Sequence, residues 1–244
     1  MNMNYRPFMK KKSLLILLIS GLNFNANSQT PHFTGGLILG LNITHIDGDG
    51  LNGFNKAGPL GGLYLNFAMS RRWSLQMEML YSQKGSAAGI DSAQLFNNSN
   101  STAANSPGIW KLLRLNYFEI PLMAKYKVNN RFSIAGGLGF GLLFGAYRND
   151  FATGGNGDVS FLKETEITYN FGGTYNITPR LSAHLRWTES LLPINKGIFN
   201  INYPGFIVSQ YFSQGFYNEV FTIGVYYNFT PNIIPVNTKK KHDE

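Results

Sequence analysis

The sequence predicts an all-β protein, an eight-stranded antiparallel up-and-down transmembrane β-barrel. Apolar and polar residues alternate in eight segments that approach the length a tilted strand needs to cross a membrane. The connections between these segments are alternately short and long, an asymmetry typical of outer-membrane barrels. Only 14% of the 244 residues are charged, compared with about 25% in an average soluble domain.

Composition excludes several other classes of protein. No run of about 18 apolar residues is present, so the chain is not a helical membrane protein. The chain has no cysteine, which excludes disulfides, thiolate catalysis and zinc–thiolate sites. The length fits one domain or at most two, and no boundary for a second domain is visible.

Residues 1–28 are expected to be a cleaved signal peptide that directs the chain to the outer membrane. Arg6 and the lysines at 10–12 form a positive region, residues 14–22 a short apolar core, and Ala26 and Ser28 offer small residues before the cleavage point. A disordered basic N-terminus is the alternative. Cleavage would remove four cations and lower the net charge from +8 to +4, so we expect no nucleic-acid partner.

Each alternating segment predicts one strand. The clearest is residues 181–188, in which every odd position is apolar and every even position is polar. The fifth segment places large apolar residues on one parity and Gly137, Gly139 and Gly141 on the other. In chain order the predicted strands fall at residues 37–44, 63–69, 73–82, 112–128, 131–146, 166–171, 181–188 and 221–229.

Pro121 interrupts the fourth segment. Proline cannot donate a hydrogen bond to a neighbouring strand, and a closed barrel has no free edge where this would be harmless. We therefore predict a local bulge at Pro121, with a functional hinge as the alternative.

The connections complete the predicted domain, a barrel over residues 29–229 followed by a short basic tail over 230–244. Short turns are predicted at residues 70–72, 129–131 and 178–180, and each leads into an arginine, a large apolar residue and a serine. The long connections, at about 46–56, 85–111, 147–162 and 190–215, are rich in Gly, Asn and Ser.

Two of these long connections carry large apolar and aromatic residues, which are expected to recognise a partner, to cap the mouth of the barrel, or to do both. They are Phe96, Trp110, Ile198, Phe199, Tyr203, Phe206, Tyr211 and Phe212.

Periodicity does not decide which parity faces outward, because a soluble lipocalin-like barrel would place the apolar parity inside. Three observations favour lipid outside. The polar parity carries charges of both signs, which can neutralise one another in a narrow lumen. The glycines of the fifth strand share that parity and make room for long side chains. Aromatic residues gather near strand ends, as a membrane-interface girdle requires.

The ionisable residues predicted inside the barrel are the candidate site. We expect them to form a charge-paired plug, because an unpaired charge in a tight lumen is costly. A polar gate or a proton-linked site is the alternative. The set is Glu78, Glu119, Lys125, His184 and Arg186, with Glu166 as a further member.

The sequence gives little support for catalysis, a cofactor or a metal. Ser182 and His184 share a face, but side chains two positions apart on a strand lie about 7 Å apart, too far for a nucleophile and its base. His32 and His45 are isolated, and no cluster has metal-ligand spacing. The glycines at 137–141 are not a dinucleotide fingerprint, because no helix follows.

Two segments resemble the PorT-like family of outer-membrane β-barrels. They are Leu-Tyr-Ser-Gln-Lys-Gly at 80–85 and Asn-Tyr-Phe-Glu-Ile-Pro-Leu-Met-Ala-Lys-Tyr at 116–126. The resemblance covers residues 33–229. It implies an outer-membrane barrel, and the family's namesake acts in protein secretion, a role that shared fold alone does not transfer.

The function expected from these observations is that of a non-enzymatic outer-membrane barrel with a structural or interaction role in the envelope. Outer-membrane lipid is the expected surrounding, and envelope or secretion-system proteins are the partners expected at the long loops. A narrow transport or secretion-associated component is the first alternative, and a lipid-modifying barrel enzyme is the second.

Overall fold

The computed structural model describes residues 33–51, 53–88, 110–150, 157–196 and 215–231. The predicted signal peptide at 1–28 and residues 232–244 of the predicted tail lie outside these ranges. No helix in the described ranges is long and apolar enough to cross a membrane.

The described residues form eight strands that close into one antiparallel barrel. Each strand pairs with its neighbours in the chain, and the first strand pairs with the last. The predicted fold class is therefore confirmed. The strands are β1 (Phe33–Asp47), β2 (Lys56–Ala68), β3 (Trp73–Ala87), β4 (Trp110–Lys127), β5 (Phe132–Asp150), β6 (Thr165–Asn176), β7 (Leu181–Ser190) and β8 (Tyr217–Asn228).

The two faces of the wall have opposite polarity. On β7, Ser182, His184 and Arg186 are buried in the lumen, whereas Leu185 between them is 51% exposed on the outer surface. The outer surface is a continuous apolar band, which is the face that a membrane covers. Its members include Leu39, Leu41, Leu63, Leu65, Met77, Met79, Ile120, Leu122, Leu138, Phe140, Leu142, Ile167, Phe171, Leu185, Ile223 and Val225.

The three short turns predicted from the sequence are confirmed, and all three share one geometry. A polar side chain in each turn accepts hydrogen bonds from the backbone N–H groups two and three residues later. These side chains belong to Ser70, Asn129 and Thr178. We call this end of the barrel the short-turn end and the opposite end the long-loop end.

Several strands run further toward the long-loop end than the sequence predicted. β3 continues to Ala87 and β4 begins at Trp110, so both enter the segment that was assigned to a loop. β4 and β5 reach 18 and 19 residues. The consequence is that Lys84 and Ser86 belong to the barrel wall, where both are buried.

The bulge predicted at Pro121 is wrong. The pairing of β4 with β5 runs without a shift through Pro121 and Gly139, and its two irregularities lie instead between Trp110 and Leu112 and between Asn116 and Tyr117. On the other side, β3 and β4 keep one register, but the pairs at Glu78 and Met79 are missing. Those are the pairs that need the absent N–H of Pro121, so the strand loses a hydrogen bond without changing its path.

An apolar cap fills the lumen at the long-loop end. It joins Leu113, Leu115 and Tyr117 of β4 to residues from the long connections, and all of them are buried. The residues from the connections and their strand ends are Leu51, Leu162, Ile194 and Phe216. The described ends of the long connections therefore pack over the barrel mouth.

Candidate functional site

The lumen holds two clusters of charged side chains at different heights. The short-turn cluster consists of Gln76, Glu78, Lys125, His184, Arg186 and Tyr226. The long-loop cluster consists of Lys84, Glu119, Glu166, Ser190 and Asn218. The five residues predicted from the sequence are thus divided, because Glu119 lies in the long-loop cluster and the other four lie in the short-turn cluster.

One carboxylate oxygen organises the short-turn cluster. Oε1 of Glu78 accepts hydrogen bonds from Arg186 at 2.7 Å, from Gln76 at 2.6 Å and from the Tyr226 hydroxyl at 2.8 Å. The Arg186 guanidinium also donates to the Tyr226 oxygen at 2.8 Å. Arg186 comes from β7 and Glu78 from β3, so this ion pair crosses the lumen between strands that are not neighbours.

Lys125 and His184 complete this cluster without joining the ion pair. The Lys125 ammonium lies 5.4 Å from the centre of the Tyr226 ring, a cation–π contact, and it forms no ion pair within the described residues. The His184 ring lies against the same tyrosine, with the two ring centroids 4.5 Å apart and the ring planes tilted by 38°. Neither nitrogen of His184 has a hydrogen-bond partner in the described part of the chain, and the same holds for Oε2 of Glu78.

A single lysine organises the long-loop cluster. The Lys84 ammonium forms ion pairs with Glu119 and, at 2.9 Å, with Glu166. The second oxygen of Glu166 accepts hydrogen bonds from the Ser190 hydroxyl at 2.6 Å and from the Asn218 amide at 2.9 Å. Lys84 is 1% exposed, so its charge is compensated almost entirely by protein groups.

Lys84 is the central residue that sequence reasoning missed. It lies between the predicted third strand, which ends at residue 82, and the long connection predicted from about residue 85. Its parity is nevertheless the same as that of Gln76, Glu78 and Ser82, which all face the lumen. Extending the alternation by one more pair of residues would have placed Lys84 inside.

The two clusters carry opposite excess charge. The short-turn cluster has two cations and one carboxylate, whereas the long-loop cluster has one cation and two carboxylates. The charges therefore cancel only when both clusters are counted together. This arrangement lowers the cost of placing six ionised groups in a lumen that eight strands leave just wide enough for side chains.

The short-turn end of the lumen contains a small polar cavity of about 40 Å³. This volume is on the scale of one or two water molecules. The cavity adjoins the short-turn cluster through Gln76, Lys125 and Tyr226. Its other lining residues are Thr34, Tyr64, Asn66, Asn176, Ser182 and Asn228.

The described residues provide no assembled catalytic or metal site. Ser182 donates its hydroxyl hydrogen to Asn176 at 2.8 Å, whereas both His184 nitrogens are without a partner there. No group of three or more His, Asp or Glu side chains in the described ranges could hold a metal ion.

Part of the long connection between β5 and β6 is described. Arg148 donates to the backbone oxygen of Asp158 at 3.1 Å, and Lys196 donates to that of Ser160 at 3.3 Å. Hydrogen bonds from the Ser160 side chain and backbone lower the pKa of Asp158 below its ordinary value. These contacts tie the connection to β5 and to the segment after β7.

Of the large apolar and aromatic residues predicted to recognise a partner or cap the mouth, the structure describes the position of one. Trp110 is the first residue of β4. The rest fall outside the described residues, namely Phe96, Ile198, Phe199, Tyr203, Phe206, Tyr211 and Phe212. The described cap is built from other side chains.

Comparisons with known proteins give one family. The family described as "Outer membrane protein beta-barrel domain" matches residues 14–229. No curated protein matches the chain.

Solved structures with a similar strand arrangement include Ail, the attachment invasion locus protein of Yersinia pestis. Its sequence is 14% identical and the TM-score is 0.45, and the match covers 80% of this chain and 98% of the Ail chain. Neisserial surface protein A is 11% identical with a TM-score of 0.42, and the match covers 81% of this chain and 97% of the Neisserial chain. OprG of Pseudomonas aeruginosa is 14% identical with a TM-score of 0.34, and the match covers 81% of this chain and 94% of the OprG chain.

Proposed function

The chain belongs to the outer membrane protein β-barrel domain family, and on this basis we propose that it is a closed, non-enzymatic barrel with a structural or interaction role in the envelope. The barrel is the membrane anchor, and the long loops are the part that contacts other envelope components. The observation that carries the proposal is the filling of the lumen by two crossing ion-pair clusters.

The lumen is blocked at successive heights. The ion pair of Glu78 and Arg186 crosses it near the short-turn end, and Lys84 joins β3 to β4 and β6 above that point. The apolar cap then covers the long-loop end. A solute would have to separate buried ion pairs to pass, and removing one partner of such a pair costs about 3–5 kcal/mol.

The role in the envelope is assigned to the loops because the barrel interior is used for packing. The segments between β3 and β4 and between β7 and β8 are the longest connections, at residues 88–109 and 191–216. Loops held on a rigid scaffold are the usual place for recognition. Envelope or secretion-system proteins are the proposed partners.

The finer assignments follow from the sequence. The segments at 80–85 and 116–126 support membership of the PorT-like group, and the pattern of residues 1–28 supports export by a cleaved signal peptide. The proposed mature protein is then a barrel at 29–229 with a short basic tail at 230–244.

Electrical recording tests the closed lumen. Full-length protein reconstituted into a planar bilayer is expected to show no steady ionic current, because water has no continuous path past the two clusters. Heat-dependent mobility on a gel verifies that the same preparation is folded. A stable current whose ion selectivity changes in Glu119→Gln would contradict the proposal and would assign the barrel to narrow transport or secretion instead.

A further inference from the structure

Each of the three short turns positions an arginine against a tyrosine of the second strand after that turn. In every case the guanidinium donates a hydrogen bond to the phenol oxygen, and both side chains lie on the outer surface near the end of the barrel. The pairs are Arg72 with Tyr126 at 3.0 Å, Arg131 with Tyr175 at 3.3 Å and Arg180 with Tyr227 at 3.4 Å.

The backbone holds each arginine in place. The carbonyl oxygen of Arg72 accepts the N–H of Lys127 at 2.8 Å, and Lys127 directly follows Tyr126. The same bond, also at 2.8 Å, joins Arg131 to Asn176 and Arg180 to Asn228. Main chain and side chain of one arginine therefore bind consecutive residues of the neighbouring strand. The three positions are built alike and lie two strands apart.

The surroundings of these pairs are those of a membrane interface. Tyr175 and Tyr227 are exposed beside the apolar band, and the Trp73 ring lies 4.9 Å from the Tyr126 ring. Tyrosine and tryptophan occupy the headgroup level of a membrane. The phenol bond therefore directs each guanidinium toward lipid headgroups.

The described turns at this end carry charge of one sign. The described residues 69–73, 127–132 and 176–181 contain no Asp or Glu. Their cations are Arg71, Arg72, Lys127, Arg131 and Arg180. A guanidinium has five N–H donors, and the phenol takes one, so most remain for an anion.

We propose that the three arginine–tyrosine pairs bind the phosphate groups of anionic phospholipids in the leaflet at the short-turn end. Guanidinium binds phosphate through paired, charge-assisted hydrogen bonds. The ligand is a membrane lipid because the tyrosines hold the guanidinium groups on the outer wall, at the edge of the apolar band. This site is independent of the lumen and goes beyond the proposed function.

Trp73 supplies a local reporter. The chain has three tryptophans, so the full-length variant Trp110→Phe/Trp187→Phe leaves Trp73 alone beside the Arg72–Tyr126 pair. This protein is folded into phosphatidylcholine vesicles in which a fraction of the lipid carries bromine on its acyl chains. The brominated lipid is phosphatidylglycerol in one set of vesicles and phosphatidylcholine in the other, and bromine quenches the fluorescence of a nearby tryptophan. Quenching should indicate a roughly fivefold preference for phosphatidylglycerol at this position, the effect expected of one arginine near an anionic surface.

Two variants decide whether the pairs are responsible. Arg72→Gln/Arg131→Gln/Arg180→Gln should abolish the preference, and Arg72→Gln alone should do so at Trp73 if the triple variant folds poorly. Arg71→Gln is the matched control, because Arg71 is exposed in the same turn but has no tyrosine partner among the described residues. No preference in the parent protein, or an equal loss in Arg72→Gln and Arg71→Gln, would overturn the proposal.

Discussion

The long-loop cluster sets one lysine between two carboxylates, whereas the short-turn cluster sets one carboxylate against one arginine and leaves a second cation over an aromatic ring. In the first, Lys84 contacts both Glu119 and Glu166. In the second, Glu78 binds Arg186 through one oxygen, and Lys125 rests on Tyr226. Both clusters lie in the lumen, but they differ in how many partners depend on one residue.

This difference indicates where the lumen tolerates change. The long-loop cluster depends on Lys84, because nothing else in the described cluster neutralises its two carboxylates. The short-turn cluster has spare capacity, since Lys125 is near, Oε2 of Glu78 is unused and a polar cavity adjoins it. Substitutions of equal chemistry should therefore have unequal effects in the two clusters.

The largest effect is expected from Lys84→Met. Methionine keeps the length of the side chain but leaves two carboxylates buried without a cation, so the free energy of unfolding should fall by about 4–5 kcal/mol. Guanidinium unfolding in detergent micelles, followed by tryptophan fluorescence, measures the change. Lys127→Met, at the short-turn end, is the matched control and should change stability by less than about 1 kcal/mol. A small loss for Lys84→Met would remove the distinction between the clusters.

Arg186→Met is expected to cost less, about 3 kcal/mol. The Glu78 carboxylate loses its closest cation, but it keeps the Gln76 and Tyr226 hydrogen bonds, and Lys125 remains in the cluster. The same unfolding measurement applies, with the exposed Arg71→Ala as the control. If Arg186→Met proved as damaging as Lys84→Met, Lys125 would offer no compensation and the idea of spare capacity would be wrong.

The smallest effect is expected from Glu119→Gln, a loss of about 1 kcal/mol or less. Lys84 keeps its ion pair with Glu166, and the change removes the excess negative charge of the cluster. Glu78→Gln makes the same chemical change in the other cluster, where it would leave two cations without a carboxylate. Equal unfolding free energies for these two variants would show that charge balance does not distinguish the clusters.

Most of the barrel wall, apart from the strand ends near the long loops, could be predicted from the sequence. Alternation with a period of two fixes which side chains share a face, and the spacing of the turns fixes which strands are neighbours. Parity places Leu185 and Arg186 on opposite faces, and the mixed charges of the polar parity, together with the glycines of the fifth strand and the aromatic residues near strand ends, indicate that Leu185 lies outside. The bulge at Pro121 was predicted incorrectly, because the effect of a missing N–H depends on whether the neighbouring register can absorb it.

Partners across the lumen could not be predicted in the same way. Arg186 meets Glu78, and Lys84 meets Glu166, between strands that share no hydrogen bonds. Such contacts depend on barrel stagger and side-chain length, which periodicity does not contain. Parity identified Glu119 and Lys125 as interior residues, but it could not say that one would bind Lys84 and the other a tyrosine ring.

The pairing of β1 with β8 has a consequence for the order of folding. Every other strand pair joins consecutive segments of chain, whereas this seam runs from Gly36 with Asn228 to Asp47 with Tyr217. At its centre Gly40 faces Gly224, and a Cβ on Gly224 would lie 2.6 Å from the Leu39 oxygen. Contacts between distant segments form slowly, so we expect closure of this seam to be the final and rate-setting step. Until then both strands expose unpaired backbone to lipid, which raises the free energy of the open state and strongly favours the closed one.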